Sequence, residues 1–149
     1  MKIEKSIGKI HNYLKNCKKF GEEIMVKNED DIIEKNISQM YDLGQNVKGE
    51  SLGEYTDISK FMKQQKGQRT DHITLRDTED FHKGMFMKKI TKTEFRKLTE
   101  FEIKSKDWKS DMLERRFPDI FGLNKEKLEN FTKNVFFNEF YNKLRLYFK

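Results

Sequence analysis

The chain has 149 residues, 38% of them charged, and a formal net charge of +6. Its 13 Phe, 12 Ile, 10 Leu and 3 Val make up about a quarter of the sequence, above the ~20% below which chains typically stay disordered. The single cysteine, Cys17, excludes an intrachain disulfide, and no stretch approaches the ~18 apolar residues of a membrane span.

The basic start lacks an apolar segment behind it, so no secretory signal is expected. A reducing cytoplasm, or a larger assembly built there, is the expected setting. The charge is uneven. Residues 1–80 carry 14 Lys and Arg against 15 Asp and Glu, whereas residues 81–149 carry 17 against 10. A core this small under so much charge suits a protein that completes its burial against neighbouring subunits.

Ile3, Ile7, Ile10, Leu14 and Cys17 alternate at spacings of four and three. That period predicts an amphipathic helix over 2–20, with Gly21 as its C-cap and Cys17 as a small core residue. A second helix is predicted from Glu29 to Leu43, with Ile33, Ile37, Met40 and Tyr41 inward and Gly44 as its stop. Glu29, Asp30 and Asp31 suit its first turn because the helix dipole favours anions there. Three glycines among polar residues make 44–55 a loop. A short helix over Asp57–Gln65 bears Ile58, Phe61 and Met62.

A strand signal begins at Ile73-Thr74-Leu75, followed by a turn over Asp77–Asp80. Phe81–Ile90 is predicted as a strand, with Gly84 marking a bulge. After a turn at 91–93, Glu94–Ile103 places Phe95, Thr99, Phe101 and Ile103 on one face of an antiparallel partner. A helix over Ser110–Arg116 ends at Phe117-Pro118. Asn124 is a good N-cap for a last helix from Lys125 almost to the C-terminus. Leu128, Phe131, Val135, Phe136, Phe140, Leu144 and Tyr147 give that helix an apolar face, which Phe137, Tyr141 and Phe148 widen toward a second contact. The expected architecture is therefore α+β in a single domain. It has a helical segment over 1–43, a small antiparallel hairpin within 44–123, and a C-terminal helix over 124–149.

Chemistry is sparse. His11, His72 and His82 lack metal-ligand spacing, although His72 and His82 meet if the segments flanking their turn pair. Asp77, Glu79 and Asp80 are the densest carboxylates outside a helix, but Asp in a turn commonly caps the backbone. Gly49 and Gly53 lack the spacing of a phosphate loop. No metal, cofactor or catalytic residue is expected. Trp108 beside Lys104, Lys106 and Lys109 has the make-up of a stacking platform with phosphate-neutralising cations, diluted by Asp107 and Asp111.

Two short patterns resemble a known group. Leu52, Gly53, Tyr55 and Thr56 form a "Leu-Gly-x-Tyr-Ser/Thr" loop. Ile73, Thr74, Leu75, Asp77, Thr78, Asp80 and Phe81 form an "Ile-Thr-Leu-x-Asp-Thr-Gly-x-Phe/Leu" turn. A third run follows through Asp107, Lys109, Leu113, Arg116 and Phe117 to Ile120, Phe121, Gly122 and Leu123. Residues 44–123 thereby resemble the neck and tail-completion proteins of tailed bacteriophages. In one departure, Glu79 stands where that group usually has Gly.

The resemblance implies a non-enzymatic virion subunit in a homo-oligomeric ring between portal and tail. Such a subunit is assembled in the host cytoplasm, has portal, neck or tail proteins as partners, has DNA in the lumen and touches no membrane. Its motif and interface candidates are Leu52, Gly53, Tyr55, Ile73, Leu75, Asp77, Thr78, Asp80, Phe81, Trp108, Arg116, Phe121 and Gly122. The alternative is a small basic intracellular nucleic-acid-binding protein using Lys104, Lys106 and Lys109.

Overall fold

The computed structural model describes residues 2–92 and 98–149, with side chains for 8, 9, 11–91 and 99–149. The expected side chains of Ile3, Ile7 and Ile10, and the hairpin segment 93–97 with Phe95, lie outside the described residues. The architecture is α+β. Its elements in chain order are α1 (Lys2–Lys27), α2 (Glu29–Tyr41), α3 (Asp57–Gln65), α4 (Asp80–Lys83), β1 (Met85–Lys92), β2 (Leu98–Ser105), α5 (Ser110–Arg116) and α6 (Lys125–Phe131). A π-helical turn (Thr132–Phe136) and α7 (Phe137–Tyr147) complete them. Contacts divide the chain into two compact units, one joining α1 through Glu29 to Glu129–Lys149 and the other spanning Asp30–Leu128.

In the first unit α1 runs on through Gly21 and does not stop there. A Cβ at this position would sit in ordinary contact with the Phe136 ring, at 3.6 Å. The helix pairs antiparallel with the C-terminal run through Glu23–Lys143 at 2.6 Å and Lys27–Glu139 at 2.8 Å. Phe20 meets Tyr147 edge-on and Tyr13 meets Phe148. Ile24 is fully buried, whereas Leu14 is 60% exposed and Cys17 half-buried. Among the described side chains of α1, Ile24 is the buried one.

The second unit is organised by α2. Its buried residues are Ile32, Asn36, Gln39 and Met40. Of the predicted inward set only Met40 is buried, because two amides occupy the stripe in place of Ile33 and Ile37. Those amides replace a β-ladder for the segment 120–124. Asn36 Nδ2 donates to the Ile120 carbonyl at 3.0 Å, and Asn36 Oδ1 accepts the Gly122 N–H at 3.2 Å. Gln39 Nε2 donates to the Gly122 carbonyl at 3.4 Å. Burying such groups is tolerable only when they are paired. α2 ends at Tyr41, short of the predicted Leu43, and Gly44 lies beyond it at φ +58, where a Cβ would come within 2.5 Å of the His72 ring. Glycine is required there both by backbone sterics and by space.

α3 and α5 have the predicted bounds. β1 and β2 pair antiparallel in the register Met85↔Ser105 to Lys92↔Leu98, and Met85 and Ile103 are buried. Two strand expectations fail. Residues 73–75 pair with no strand, and Leu75 takes φ +53, which a ladder does not accept. Phe81, His82 and Lys83 form α4, so the strand starts at Met85; Gly84 is the αR C-cap of α4 and marks no bulge. Asn124 caps α6 as expected, its Oδ1 accepting the Lys127 N–H at 3.0 Å. The C-terminal run continues to Tyr147. Among the described residues no helix is long and apolar enough to cross a membrane.

Candidate functional site

A cleft of about 270 Å³ opens in the second unit, between α3, the turn at 73–81 and α5. The three patterns singled out in the sequence meet on its walls. Tyr55 and Thr56 come from the loop, Ile73, Leu75, Asp77, Thr78 and Phe81 from the turn, and Asp107, Lys109, Leu113, Arg116 and Phe117 from the later run.

The loop and turn patterns are physically joined. The Tyr55 hydroxyl accepts the Thr74 N–H and also pairs with the Thr74 hydroxyl, both at 3.0 Å. The Ile73 N–H reaches the Gly53 carbonyl at 3.0 Å, with Gly53 at φ +94. Leu52 is buried beneath the loop, and its N–H donates to the Gly44 carbonyl. Thr74 is 2% exposed and serves as the hub of this junction. The sequence reading used it only as a motif position; a threonine flanked by apolar residues carries no signal of that role.

The turn carries backbone strain. Leu75 at φ +53 and Glu79 at φ +71 are both in the left-handed region, where a non-glycine residue is uncommon. Glu79 is held by ion pairs to Arg76 and, at 2.9 Å, to Lys83. Position 79 thus has the backbone conformation that a glycine would adopt without cost.

The carboxylates of the turn do not converge. Asp77 is tied to Lys66 at 2.7 Å, and that hydrogen bond lowers its pKa. Asp80 accepts from the Thr78 hydroxyl at 2.6 Å. Among the described residues no group of three or more His, Cys, Asp or Glu is placed to hold a metal ion. The histidines do not meet through paired flanking segments. His72 Nε2 lies 2.8 Å from the Tyr41 carbonyl and its Nδ1 3.0 Å from Asp71. His82 is 7% exposed between the Tyr41 and Phe81 rings, and among the described residues its Nε2 has no hydrogen-bond partner. Burial, and then the charge of Arg76, push its pKa down to about 4.

Trp108 stands 83% exposed, with the Lys109 ammonium 5.5 Å from its ring centre. The other two lysines of that patch have different partners. Lys104 reaches Glu114 at 3.5 Å and overlies Phe121, while Lys106 overlies Phe86. Phe121 packs on Phe81 with ring centres 5.8 Å apart. Gly122 takes φ +132 against Val47.

Apolar side chains face outward at two further places. α3 has no buried residue, and its Ile58, Phe61 and Met62 are 76%, 62% and 58% exposed. In the helical unit Phe137, Tyr141 and Phe148 are exposed. No family model, curated protein or solved structure matches this chain.

Proposed function

We propose that this chain is a structural subunit of a tailed-phage particle, in the head–tail connector or neck or in a tail-completion ring. The junction of its sequence patterns carries the reading. The loop and turn that resemble such proteins bond to each other through Tyr55 and Thr74. At the position where that group has glycine, Glu79 adopts φ +71. That conformation is one a glycine adopts without cost, which supports the reading.

The surface supports the same reading. A ring subunit must show its neighbours apolar area that stays wet in the isolated chain. Polar groups tie α3 down: Thr56 caps it, Lys60 pairs with Glu54, Lys63 donates to the Arg76 carbonyl, and Lys66 at its C-cap pairs with Asp77. Its apolar face is left free for a neighbour. In the assembled state Ile58, Phe61 and Met62 lie against the adjacent copy, and portal, neck or tail proteins cover the remaining apolar faces.

Electron microscopy of the concentrated, purified protein tests this directly. Closed rings of uniform diameter are expected, and fields without any closed ring contradict the proposal.

A further inference from the structure

The charges around the cleft are not balanced within the fold. Of its carboxylates, Glu54 pairs with Lys60, Asp77 with Lys66, and Glu79 with Arg76 and Lys83. Asp107 is engaged by the Lys109 N–H at 2.7 Å. Lys60, Lys66 and Lys83 reach in from outside the lining, so three of the four carboxylates are paired with cations and Asp107 keeps its charge. The α5 wall differs. Among the described residues neither Lys109 nor Arg116 forms an ion pair with a carboxylate, although the charge of Lys109 is felt by Asp77; each lies over a ring, Trp108 or Phe117. Leu75, Phe81, Leu113 and Phe117 give the same lining an apolar part.

We propose that this cleft is a docking groove for an extended acidic peptide segment of a partner protein. One large apolar side chain of the segment seats on that apolar part, and flanking Asp or Glu side chains reach Lys109 and Arg116. Size favours a segment over a free cofactor. At about 270 Å³, near the lower end of the volumes of pockets that engulf small molecules, the cleft has room for one or two side chains of a chain continuing outside. Charge favours acid over base, since the lining's Glu54, Asp77, Glu79 and Asp107 are matched by its Lys63, Arg76, Lys109 and Arg116, and Lys60, Lys66 and Lys83 add to the positive side. The strained turn favours function at this place, because left-handed Leu75 and Glu79 both line the groove. The inference does not depend on ring formation, as a chain that never self-assembles binds such a segment equally well.

The test is selection from a random heptapeptide display library against the purified full chain. Enriched peptides share an aromatic or large aliphatic residue flanked by Asp or Glu. Titrated into labelled protein, a synthetic copy of the consensus moves the backbone amides of Leu75, Leu113 and Phe117, and the single tryptophan, Trp108, reports the same event by fluorescence. The double variant Lys109→Glu/Arg116→Glu keeps the fold, as read by its circular dichroism, and weakens the consensus peptide at least tenfold. No enrichment or a basic consensus overturns the proposal. So does undiminished affinity in the double variant, or binding abolished by Phe61→Glu on α3 in place of the α5 substitutions.

Discussion

The Gln39 side-chain oxygen accepts the backbone N–H of Asn124 at 2.7 Å, a buried bond between α2 and the N-cap of α6. The same helix sends Asn36 to Ile120 and Gly122. Two fully buried amides thus bind a segment that has no strand beside it.

Removing either amide should be costly. Asn36→Ala strands the Ile120 carbonyl and the Gly122 N–H and leaves a void, for about 2–4 kcal/mol. Gln39→Ala strands the Asn124 N–H at a similar order of cost. Asn36→Asp is no rescue, because an acid in that site must be protonated or buried charged. Urea unfolding of the three variants checks this; losses below about 0.5 kcal/mol, the usual scale of surface changes, contradict it.

Glu79 offers a clean measure of backbone strain. Glu79→Ala and Glu79→Gly both lose the ion pairs to Arg76 and Lys83, so their difference isolates the cost of φ +71. The Gly variant should be more stable than the Ala variant by about 1 kcal/mol. Equal stabilities would mean that the turn relaxes.

His82 should make stability depend on pH. Its folded pKa of about 4 lies below the ordinary 6.5. Between those values the unfolded chain takes up a proton that the native ring refuses. Stability is therefore full above about pH 6.5 and falls as pH drops toward 4, by up to about 3 kcal/mol. In His82→Phe this component disappears. Urea titrations of both proteins between pH 7 and 4 give the difference, and parallel curves contradict the assignment.

The exposed face of α3 should matter for association and little for folding. Ile58→Asp and Phe61→Asp leave the unfolding free energy within about 0.5 kcal/mol, as expected of exposed sites. Both variants should shift the protein toward smaller species in sedimentation. A large loss of stability would show that the face is part of the fold.

Much of this architecture is legible in the residues. Even-spaced Thr99, Phe101 and Ile103 mark β2 because a strand alternates its faces. Asp57–Gln65 and Ser110–Arg116 are bounded by residues that cap or stop helices. Failures occur where tertiary bonds override local pattern. Ile73-Thr74-Leu75 has the composition of a strand, yet Thr74 is claimed by the Tyr55 hydroxyl and Leu75 is turned left-handed. On α2 the apolar letters at Ile33 and Ile37 outweigh Asn36 and Gln39, whose burial depends on carbonyls some 85 residues away, such as that of Ile120. The cleft was legible only as three separate patterns; the sequence holds no sign that α5 would stand opposite the turn.

Self-assembly is the central claim, and the mass in solution tests it most directly. Light scattering coupled to size exclusion, run from micromolar to near-millimolar protein, should show the 18.0 kDa chain giving way to a discrete closed oligomer. Phe61→Asp should return it to the monomer. A wild-type mass that stays at the monomer value across the whole range would contradict the account.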